Sequence, residues 1–497
     1  MVWPTPAPLT PAPEETILDS LYHHSFKDMM NDVVAAGSCC ECGTCVLVCP
    51  HNVIEYIDGK PQQTAKASAP FDYCGISEGV GCDVCATACP RLWPREEHLK
   101  QMVFGDQPEG YEGIFGNYRH IFVARTKHED VLERAQDGGV VTALLAWARE
   151  AGHIDGAVVS AVGEDDAPCF PTPKVATTVT EIKASTASWY TYCPNDLALE
   201  EVKKKDLKKV AFVGVPCQIT PLRKLEYIDP SILMAAKKKP QIVARQRGFL
   251  KGYVERVSFS VGLFCTEVFR PELMTERIEK QMGIPLTEVS KFNVKGEVLI
   301  YKKSGGIETI PLEEAMHEYQ RPECLHCGDF SAEMADIACG GVGTDRATIV
   351  VLRTQKAVDI WREFENTGTV DVWPIAENKK AWNILQRLAR RQRERPPAGP
   401  VRGASAPGLP QYSPKIEADL SAAAIALTPK AAAEIETCLE AAYLGAARPM
   451  DDVVGYIAGQ PIPGEPPAVS EGEKRKLPPP PKPEEGGASP CWRPSAG

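Results

Sequence analysis

Short apolar runs alternate with polar loops and amphipathic stretches through the middle of the chain. The pattern predicts buried strands at 121–124, 157–162, 209–215 and 257–264. Between the first two, the run from Val140 to Leu145 predicts an apolar helix that ends near Gly152. Alternating strands and helices of this kind imply an α/β domain with parallel strand pairing and a right-handed crossover.

The flanking segments carry weaker signals. Residues 288–311 alternate like a β-hairpin, and amphipathic helices are predicted at about 355–366 and 376–394. Before residue 120 we predict a short helix ahead of Gly37, a strand over 53–57 and a loop over 61–70. Residues 91–117 have the composition of a polar connector.

Composition narrows the class of protein. A chain of 497 residues can hold two or three domains, and its net charge of −11 argues against nucleic acid as a ligand. The sequence has neither a secretory signal nor an apolar run of the ~20 residues that a spanning helix needs. We therefore expect a cytoplasmic protein that would touch a membrane only through a partner.

The 18 cysteines carry the most specific signal. One run reads C-x2-C-x2-C-x3-C-P and a second reads C-x7-C-x2-C-x3-C-P. This is the pattern of a ferredoxin with two [4Fe-4S] clusters, in which the last cysteine of each run binds the other cluster. We therefore predict two ligand sets: group A, with Cys39, Cys42, Cys45 and Cys89, and group B, with Cys49, Cys74, Cys82 and Cys85. All-cysteine zinc sites are the alternative, and Cys40 is left over as a packed thiol.

These signals together predict four segments. We expect a flexible arm over 1–30, a small α+β two-cluster ferredoxin-like domain over 31–95 and a larger α/β domain over 118–395. Residues 396–497 hold 19 of the 43 prolines, and we expect this Pro/Ala-rich tail to be mostly disordered. An Ala-rich stretch within it, about 418–444, could form helices that bind a partner or could be an inert linker.

Four further cysteines form a possible third set. Cys217 and Cys265 each follow a predicted strand, at the edge where open α/β sheets bind ligands. Cys324 and Cys327 form a C-x2-C pair. Group C, made of these four residues, could hold a third [4Fe-4S] cluster, or Cys217 and Cys265 could be buried core thiols.

A glycine pair precedes the first helix of the larger domain. Asp137 is predicted to cap this helix, and Gly138 and Gly139 would let a phosphate or flavin approach its free N–H groups. A plain loop-to-helix turn explains the same residues. The lysine runs 203–205 and 237–239 are either solvated faces or a docking patch for an acidic electron-transfer partner.

The motifs in combination resemble those of the coenzyme F420 hydrogenase/dehydrogenase beta-subunit family. The matching segments are Gly138 to Leu144, Gly214 to Gln218, Gly262 to Cys265 and Cys324 to Phe330 with Ala335 to Ile337, within a resemblance over about residues 35–350. The resemblance implies FAD bound without a Rossmann fingerprint and a [4Fe-4S] cluster on group C. It implies FAD contacts at Gly138, Gly139, Val140 and Thr142, then Lys183, Ser185 and Ser188, and less directly Lys291 and Asn293.

The function implied by this resemblance is oxidation of reduced coenzyme F420, a reaction that could also run in reverse. Hydride would pass to FAD, and single electrons would then leave through the [4Fe-4S] clusters to ferredoxin, a redox partner protein or other subunits of a complex. The alternatives are a ferredoxin-dependent flavin reductase of an organic substrate, similar to the chlorophyll-type reductases, a non-catalytic electron-relay subunit, and a zinc-stabilised scaffold.

Three features depart from the family pattern. Cys339 stands where a small hydroxyl residue is usual and could compete as a ligand. The aromatic segment 189–193 could be packed core or a wall of the flavin pocket, and the Pro-rich tail has no counterpart.

Overall fold

The computed structural model describes residues 24–57, 60–64, 74, 77, 82–92, 96–105, 112–227 and 240–395. Most of the predicted N-terminal arm, the lysine run 237–239 and the predicted Pro/Ala-rich tail lie outside these residues. No described helix combines the length and the apolar composition needed to cross a bilayer.

A mixed sheet of eight strands forms the centre of the larger α/β unit, with the order β13-β3-β12-β11-β7-β6-β4-β5. Its strands are β3 (His120–Thr126), β4 (Gly156–Ala161), β5 (Thr172–Ala176), β6 (Val210–Gly214), β7 (Val257–Leu263), β11 (Ile337–Gly340), β12 (Thr348–Leu352) and β13 (Val370–Pro374). β4, β6, β7 and β11 are parallel neighbours, whereas β5, β12 and β13 pair antiparallel.

The predicted parallel pairing of the first two strands of this unit is wrong. β3 and β4 are separated by four other strands, because β12, β11, β7 and β6 insert between them. β3 instead pairs antiparallel with β12 and β13. The sequence pattern identified the strands but could not reveal that later strands would separate early ones.

Helices cover both faces of the sheet, as expected where strands are almost wholly apolar. One face packs against helices Val140–Glu150 and Gln355–Asn366. The other packs against helices Pro216–Tyr227, Pro240–Val254 and Lys379–Arg393. Shorter helices lie at Glu129–Arg134, Val179–Ala184, Leu199–Lys204, Leu273–Gln281 and Leu312–Tyr319, with 3-10 turns at Asn195–Ala198, Leu286–Glu288, Pro322–His326 and Ile375–Glu377.

The predicted hairpin over 288–311 is a three-stranded antiparallel sheet. Its strands are β8 (Val289–Val294), β9 (Glu297–Lys302) and β10 (Ile307–Pro311), in the order β10-β9-β8. Turns at Gly296 and at Gly305 with Gly306 adopt positive φ, which glycine allows without strain. The second turn therefore joins another strand rather than ending a hairpin.

The cysteine-rich segment is small and mostly irregular. Its elements are helices Phe26–Asp28, Met29–Ala35, Thr44–Leu47 and Val84–Ala88 and the antiparallel pair β1 (Ile54–Ile57) and β2 (Lys60–Gln63). The loop predicted from residue 61 thus begins with a strand. Most of its core residues pack separately, but Leu47, Val48, Val84 and Ala88 join the core beneath the large sheet.

The stretch with the composition of a polar connector contains two helices, Glu96–Phe104 and Glu112–Phe115. Leu99, Ile114 and Phe115 are buried in the same core as the large sheet. Arg353, which is fully buried, donates hydrogen bonds to the carbonyl oxygens of Phe115 and Asn117 at 2.9 and 2.7 Å. These contacts fix the entry of the chain into β3.

Candidate redox centre

The ends of two parallel strands bring Cys217 and Cys265 to one edge of the sheet. β6 and β7 pair in register at Gly214 and Gly262, so the residues that follow them meet at their carboxyl ends. After β6, Pro216 begins a helix directly, since its fixed φ suits the first helical position. Cys217 therefore lies in the first turn of that helix, while Cys265 follows β7 by two residues.

Group C is brought together at this edge. Cys217 interacts electrostatically with Cys265 and Cys327, and Cys265 does so with Cys324 and Cys327. The Cys327 N–H donates to the Cys324 carbonyl oxygen at 3.1 Å, which closes a tight turn between these two thiols. Gly262 allows the segment that follows Cys327 to approach β7, because a Cβ there would lie 2.3 Å from that of Ala332.

The cysteine-rich segment contains two further thiol sets. Cys39, Cys42, Cys45 and Cys89 line one cavity together with Cys40 and Arg91. Cys85 instead interacts with Cys49, Cys74 and Cys82. The last cysteine of each sequence run therefore lies with the first three cysteines of the other run.

The described residues form no compact site for a single ion. Among the described residues, no three His, Cys, Asp or Glu side chains converge closely enough to hold a metal ion. A tetrahedral zinc site with Zn–S bonds of about 2.3 Å would require all four sulfurs within roughly 4 Å of one another. An iron–sulfur cluster, in contrast, takes four cysteine thiolates that each bind a different iron.

Three buried arginines surround the C-x2-C turn of group C. Arg91 donates to the carbonyl oxygens of His326 and Glu323 at 2.9 and 3.0 Å. Arg395 donates to the Cys324 carbonyl oxygen at 2.9 Å. Burial raises the pKa of Cys327 to about 11, and Arg91 opposes that rise. The arginines therefore favour the thiolate form, which is the form that binds iron.

Arg321 is the third of these arginines. Its guanidinium pairs with Glu41 at 2.6 Å and lies 4.3 Å from the ring centroid of Tyr192. The Tyr192 hydroxyl in turn lies 3.6 Å from the Cys217 sulfur. Sequence reasoning missed all three arginines; the only signal was that Arg91 follows a Cys-Pro pair and Arg321 precedes Pro-Glu-Cys.

The helix start at Gly138 and Gly139 lies near the same edge, but Asp137 does not cap it. The N-cap residue is Gly139, in the left-handed conformation, with no side-chain cap. The Asp137 carboxylate instead pairs with Lys295 at 2.6 Å. A Cβ on Gly138 would lie 2.7 Å from the Ala124 carbonyl oxygen, so the chain's own strand fills that space.

Side chains of β8 hold the loop before this helix. Lys291 and Asn293 are two residues apart in the strand and therefore share one face, and Lys295 follows in the turn after it. Lys291 donates to the carbonyl oxygens of Glu133 and Ala135 at 2.8 and 3.0 Å, and Asn293 donates to that of Gln136 at 3.0 Å. These two residues, which we expected only as remote FAD contacts, position the loop.

The other residues expected at FAD have varied surroundings. Val140 is buried in the apolar core, and Thr142 accepts a hydrogen bond from Thr186 at 3.2 Å. Lys183 pairs with Asp130 at 2.7 Å, and the Ser185 hydroxyl donates to the Ile182 carbonyl oxygen at 2.7 Å. Ser188 is half-buried. These residues follow one another around the helix start, but most of their polar atoms already have partners within the chain.

Cys339 does not join group C. It lies in the middle of β11, paired with Leu263 and Val350, and is 2% exposed within the apolar layer. Burial raises its pKa to about 12, and no neighbouring thiol contributes to that rise. Cys339 is therefore a packed core thiol.

The lysine run 203–205 is largely neutralised within the chain. Lys204 and Lys205 pair with Glu200 and Glu201 one helical turn earlier, at 2.8 and 2.7 Å. Lys203 lies over the rings of Phe249 and Tyr253. Little unpaired charge remains here for an acidic partner.

A thiol set at the carboxyl edge of an α/β sheet, with two more in the cysteine-rich segment, is typical of redox proteins. Two family models of the coenzyme F420 hydrogenase/dehydrogenase beta subunit agree: the N-terminal model matches residues 121–200, and the C-terminal model matches residues 207–378. The chain belongs to the coenzyme F420 hydrogenase/dehydrogenase beta-subunit family.

Relatives with known names point the same way. Over 56% of its length the chain is 34% identical to coenzyme F420 hydrogenase subunit beta of Methanosarcina barkeri, covering 90% of that protein. It is 33% identical over 67% of its length to coenzyme F420-dependent sulfite reductase of Methanocaldococcus jannaschii, covering 46% of that protein.

A solved structure shares the fold. A chain of the F420-reducing [NiFe] hydrogenase complex from Methanosarcina barkeri matches with a TM-score of 0.50 and 31% identity, covering 58% of this chain and 92% of that chain.

Proposed function

We propose that the protein oxidises reduced coenzyme F420 and passes single electrons through three [4Fe-4S] clusters to ferredoxin or another redox partner, with the reverse direction also open. The observation that carries this proposal is the position of group C. Tyr190 interacts both with Cys265 and with Asp137, which precedes the helix start, and Cys40 lies between Cys217 and group A. In a chain whose relatives include an F420 hydrogenase subunit and an F420-dependent sulfite reductase, this arrangement suits a route from coenzyme to clusters.

The thiol sets supply ligands for three clusters. Groups A and B would occupy the proposed ferredoxin-like domain, residues 31–95, and group C the proposed larger domain, residues 118–395. Each set offers four cysteine sulfurs, the donor type that four-iron clusters use. Groups A and C are also lined by Arg91, which offsets the negative charge of a thiolate-bound cluster.

FAD is proposed at the helix that begins at Val140. The first N–H groups of a helix have no acceptor within it, and those of Val140 and Val141 would face an anionic group such as a phosphate. Gly138 and Gly139 would act indirectly, since their own packing against β3 sets the direction of this helix start. When bound, FAD accepts a hydride and releases electrons one at a time.

The chain's own residues would keep this site rigid. Lys291 and Asn293 hold the backbone of residues 133–136 from the side of β8, and Lys295 holds the Asp137 carboxylate. Lys295 also donates to the carbonyl oxygens of Gly341 and Thr344 at 3.0 and 3.2 Å, which ties the loop after β11 to the same point. These contacts orient the edge at which the coenzyme would meet the protein.

Dye reduction by purified protein tests the proposed activity. Anaerobic protein is mixed with reduced coenzyme F420 and a viologen dye as the electron acceptor. We expect the dye to be reduced as the coenzyme is oxidised. A protein with full iron and no coenzyme oxidation would support the electron-relay alternative instead.

A further inference from the structure

We propose an order for the electron route, and this order rests on the function proposed above. Group C and group A exchange electrons directly, at the contact between them that Cys40 and Arg91 form. Group B is the last set in the route. Each step moves one electron, oxidising the donor cluster and reducing the acceptor cluster by one. A one-electron acceptor of the ferredoxin class removes it from group B. Two such passages account for the two electrons of one hydride.

The first observation is the position of Cys40. It lines the same cavity as the group A cysteines, and it lies close enough to interact with Cys42 of group A and Cys217 of group C. Cys40 is 3% exposed, so it lies inside the protein and not at its surface. The residue left over by the ferredoxin pattern thus lies between two predicted ligand sets.

The second observation is a pair of arginines that cross the same boundary in opposite directions. Arg91 comes from the cysteine-rich segment and is hydrogen-bonded to the turn that carries Cys324 and Cys327. Arg321 comes from the larger unit and donates to the Cys40 carbonyl oxygen at 3.5 Å. Both guanidinium groups are buried, so the two thiol sets are held at a fixed separation.

The third observation is a shared helix. Cys217 and Lys224 are seven residues apart on the helix Pro216–Tyr227, which places them about two turns apart on one face. Lys224 donates to the carbonyl oxygens of Cys89 and Leu92 at 2.5 and 2.8 Å. The first turn of this helix therefore carries a group C cysteine, while its last turn holds the backbone of a group A cysteine in place.

Group B lies on the other side of group A. Its Cys85 interacts with Cys45 of group A, whereas the thiols that act on Cys217 and Cys265 come from group C and Cys40. Cys49 and Cys82 of group B are partly exposed, while all four group A cysteines are buried. Of the two sets in the cysteine-rich segment, group B is therefore the one nearer to the surface, where an external acceptor would dock.

Ligand variants test this order by spectroscopy. Cys45→Ala removes a group A ligand, and Cys85→Ala removes a group B ligand. After addition of reduced coenzyme F420, electron paramagnetic resonance should find the group A cluster reduced in Cys85→Ala. In Cys45→Ala the group B cluster should stay oxidised with the coenzyme although dithionite, a small reductant, reduces it. Its reduction by the coenzyme at the wild-type rate would overturn the proposed order.

A second variant keeps every ligand. Arg91→Gln removes a positive charge buried between groups A and C, so adding an electron to either cluster becomes less favourable. Redox titration should find both midpoint potentials more negative and that of group B unchanged. Arg91→Lys should restore part of the shift. An unchanged pair of potentials, or an equal shift in all three clusters, would overturn the role of Arg91.

A matched control and a separate outcome complete the test. Arg256 lies just before β7 and donates to the Leu207 carbonyl oxygen at 2.6 Å. The whole length of β7 separates it from Cys265. Arg256→Gln should therefore leave all three midpoint potentials unchanged. If wild-type clusters are reduced by dithionite but never by the coenzyme, the proposed function fails. The midpoint potentials of Arg91→Gln would still test whether groups A and C are in contact at Arg91.

Discussion

Lys224 donates a hydrogen bond from Nζ to the carbonyl oxygen of Cys89, and its side chain is completely buried. It also donates to Leu92, so a single lysine holds the end of the second cysteine run against the large unit. We expect Lys224→Met to lower the free energy of unfolding by roughly 2–4 kcal/mol, because buried carbonyl oxygens lose their donor. Urea unfolding measures this change.

The control is Lys204→Met on a neighbouring helix. Lys204 is exposed and pairs only with Glu200 one turn away. Its replacement should change the unfolding free energy by less than about 0.5 kcal/mol. Equal effects of the two variants would mean that the buried lysine does not hold the segment.

Iron content distinguishes the predicted ligand Cys217 from the core thiol Cys339. Cys217→Ala should lower iron by about four atoms per chain, since it removes a ligand of group C. Cys339→Ala should keep all iron, because Cys339 lies within the apolar layer around β11. Iron analysis of both purified proteins makes the comparison. Full iron in Cys217→Ala, with loss in Cys339→Ala, would reverse the assignment.

Gly262 and Gly248 differ in the space around them. A Cβ at Gly262 would lie 2.3 Å from that of Ala332 and 2.8 Å from that of Ala335, so Gly262→Ala should force the segment after Cys327 away from β7. We expect a loss of more than about 2 kcal/mol. At Gly248, in the helix Pro240–Val254, a Cβ meets nothing within 4 Å, and Gly248→Ala should stabilise by about 0.5–1 kcal/mol.

Both effects can be measured by thermal or urea unfolding. A neutral Gly262→Ala would mean that residues 332–335 can shift without cost. That result would contradict the close approach on which the position of group C depends.

Asp336 makes stability depend on pH. Its pKa is held far below the usual value, against the effect of burial, by Arg223 at 3.0 Å and by hydrogen bonds from Ser260 and Thr354. Because the folded-state pKa is depressed, the stabilisation is present above the unfolded pKa of about 3.9 and is lost as pH falls below it.

Asp336→Asn tests this pair. It removes the buried carboxylate beside Arg223, which keeps only the less buried Glu226, and should cost about 3 kcal/mol at neutral pH. The difference from wild type should shrink as pH falls below about 4. A difference that stays constant down to pH 3 would mean that the Asp336 charge is not the source of the stabilisation.

Local patterns predicted much of this fold. The apolar strands at 157–162, 209–215 and 257–264 and the helix at 355–366 were predicted within one or two residues of their bounds, because their periodicity is strong. Strand order could not be predicted, since the pairing of β3 with β12 joins residues more than 200 positions apart. Asp137 was misread as a cap because its partner, Lys295, lies in a turn that is distant in sequence.

The candidate site, like the fold, could be predicted only in part. Cysteine spacing reflects ligand geometry directly, so the grouping of thiols could be read from short motifs. The buried arginines could not, because Arg91, Arg321 and Arg395 meet only after three separate segments fold together.

Iron and flavin content, followed by reduction with the coenzyme, tests the central claim most directly. The full-length protein is purified without oxygen, iron and flavin are quantified per chain, and reduced coenzyme F420 is added while the flavin absorbance is recorded. We predict about twelve irons, one FAD and immediate loss of the flavin band. About eight irons, no flavin and no reaction with the coenzyme would contradict the account of the large unit.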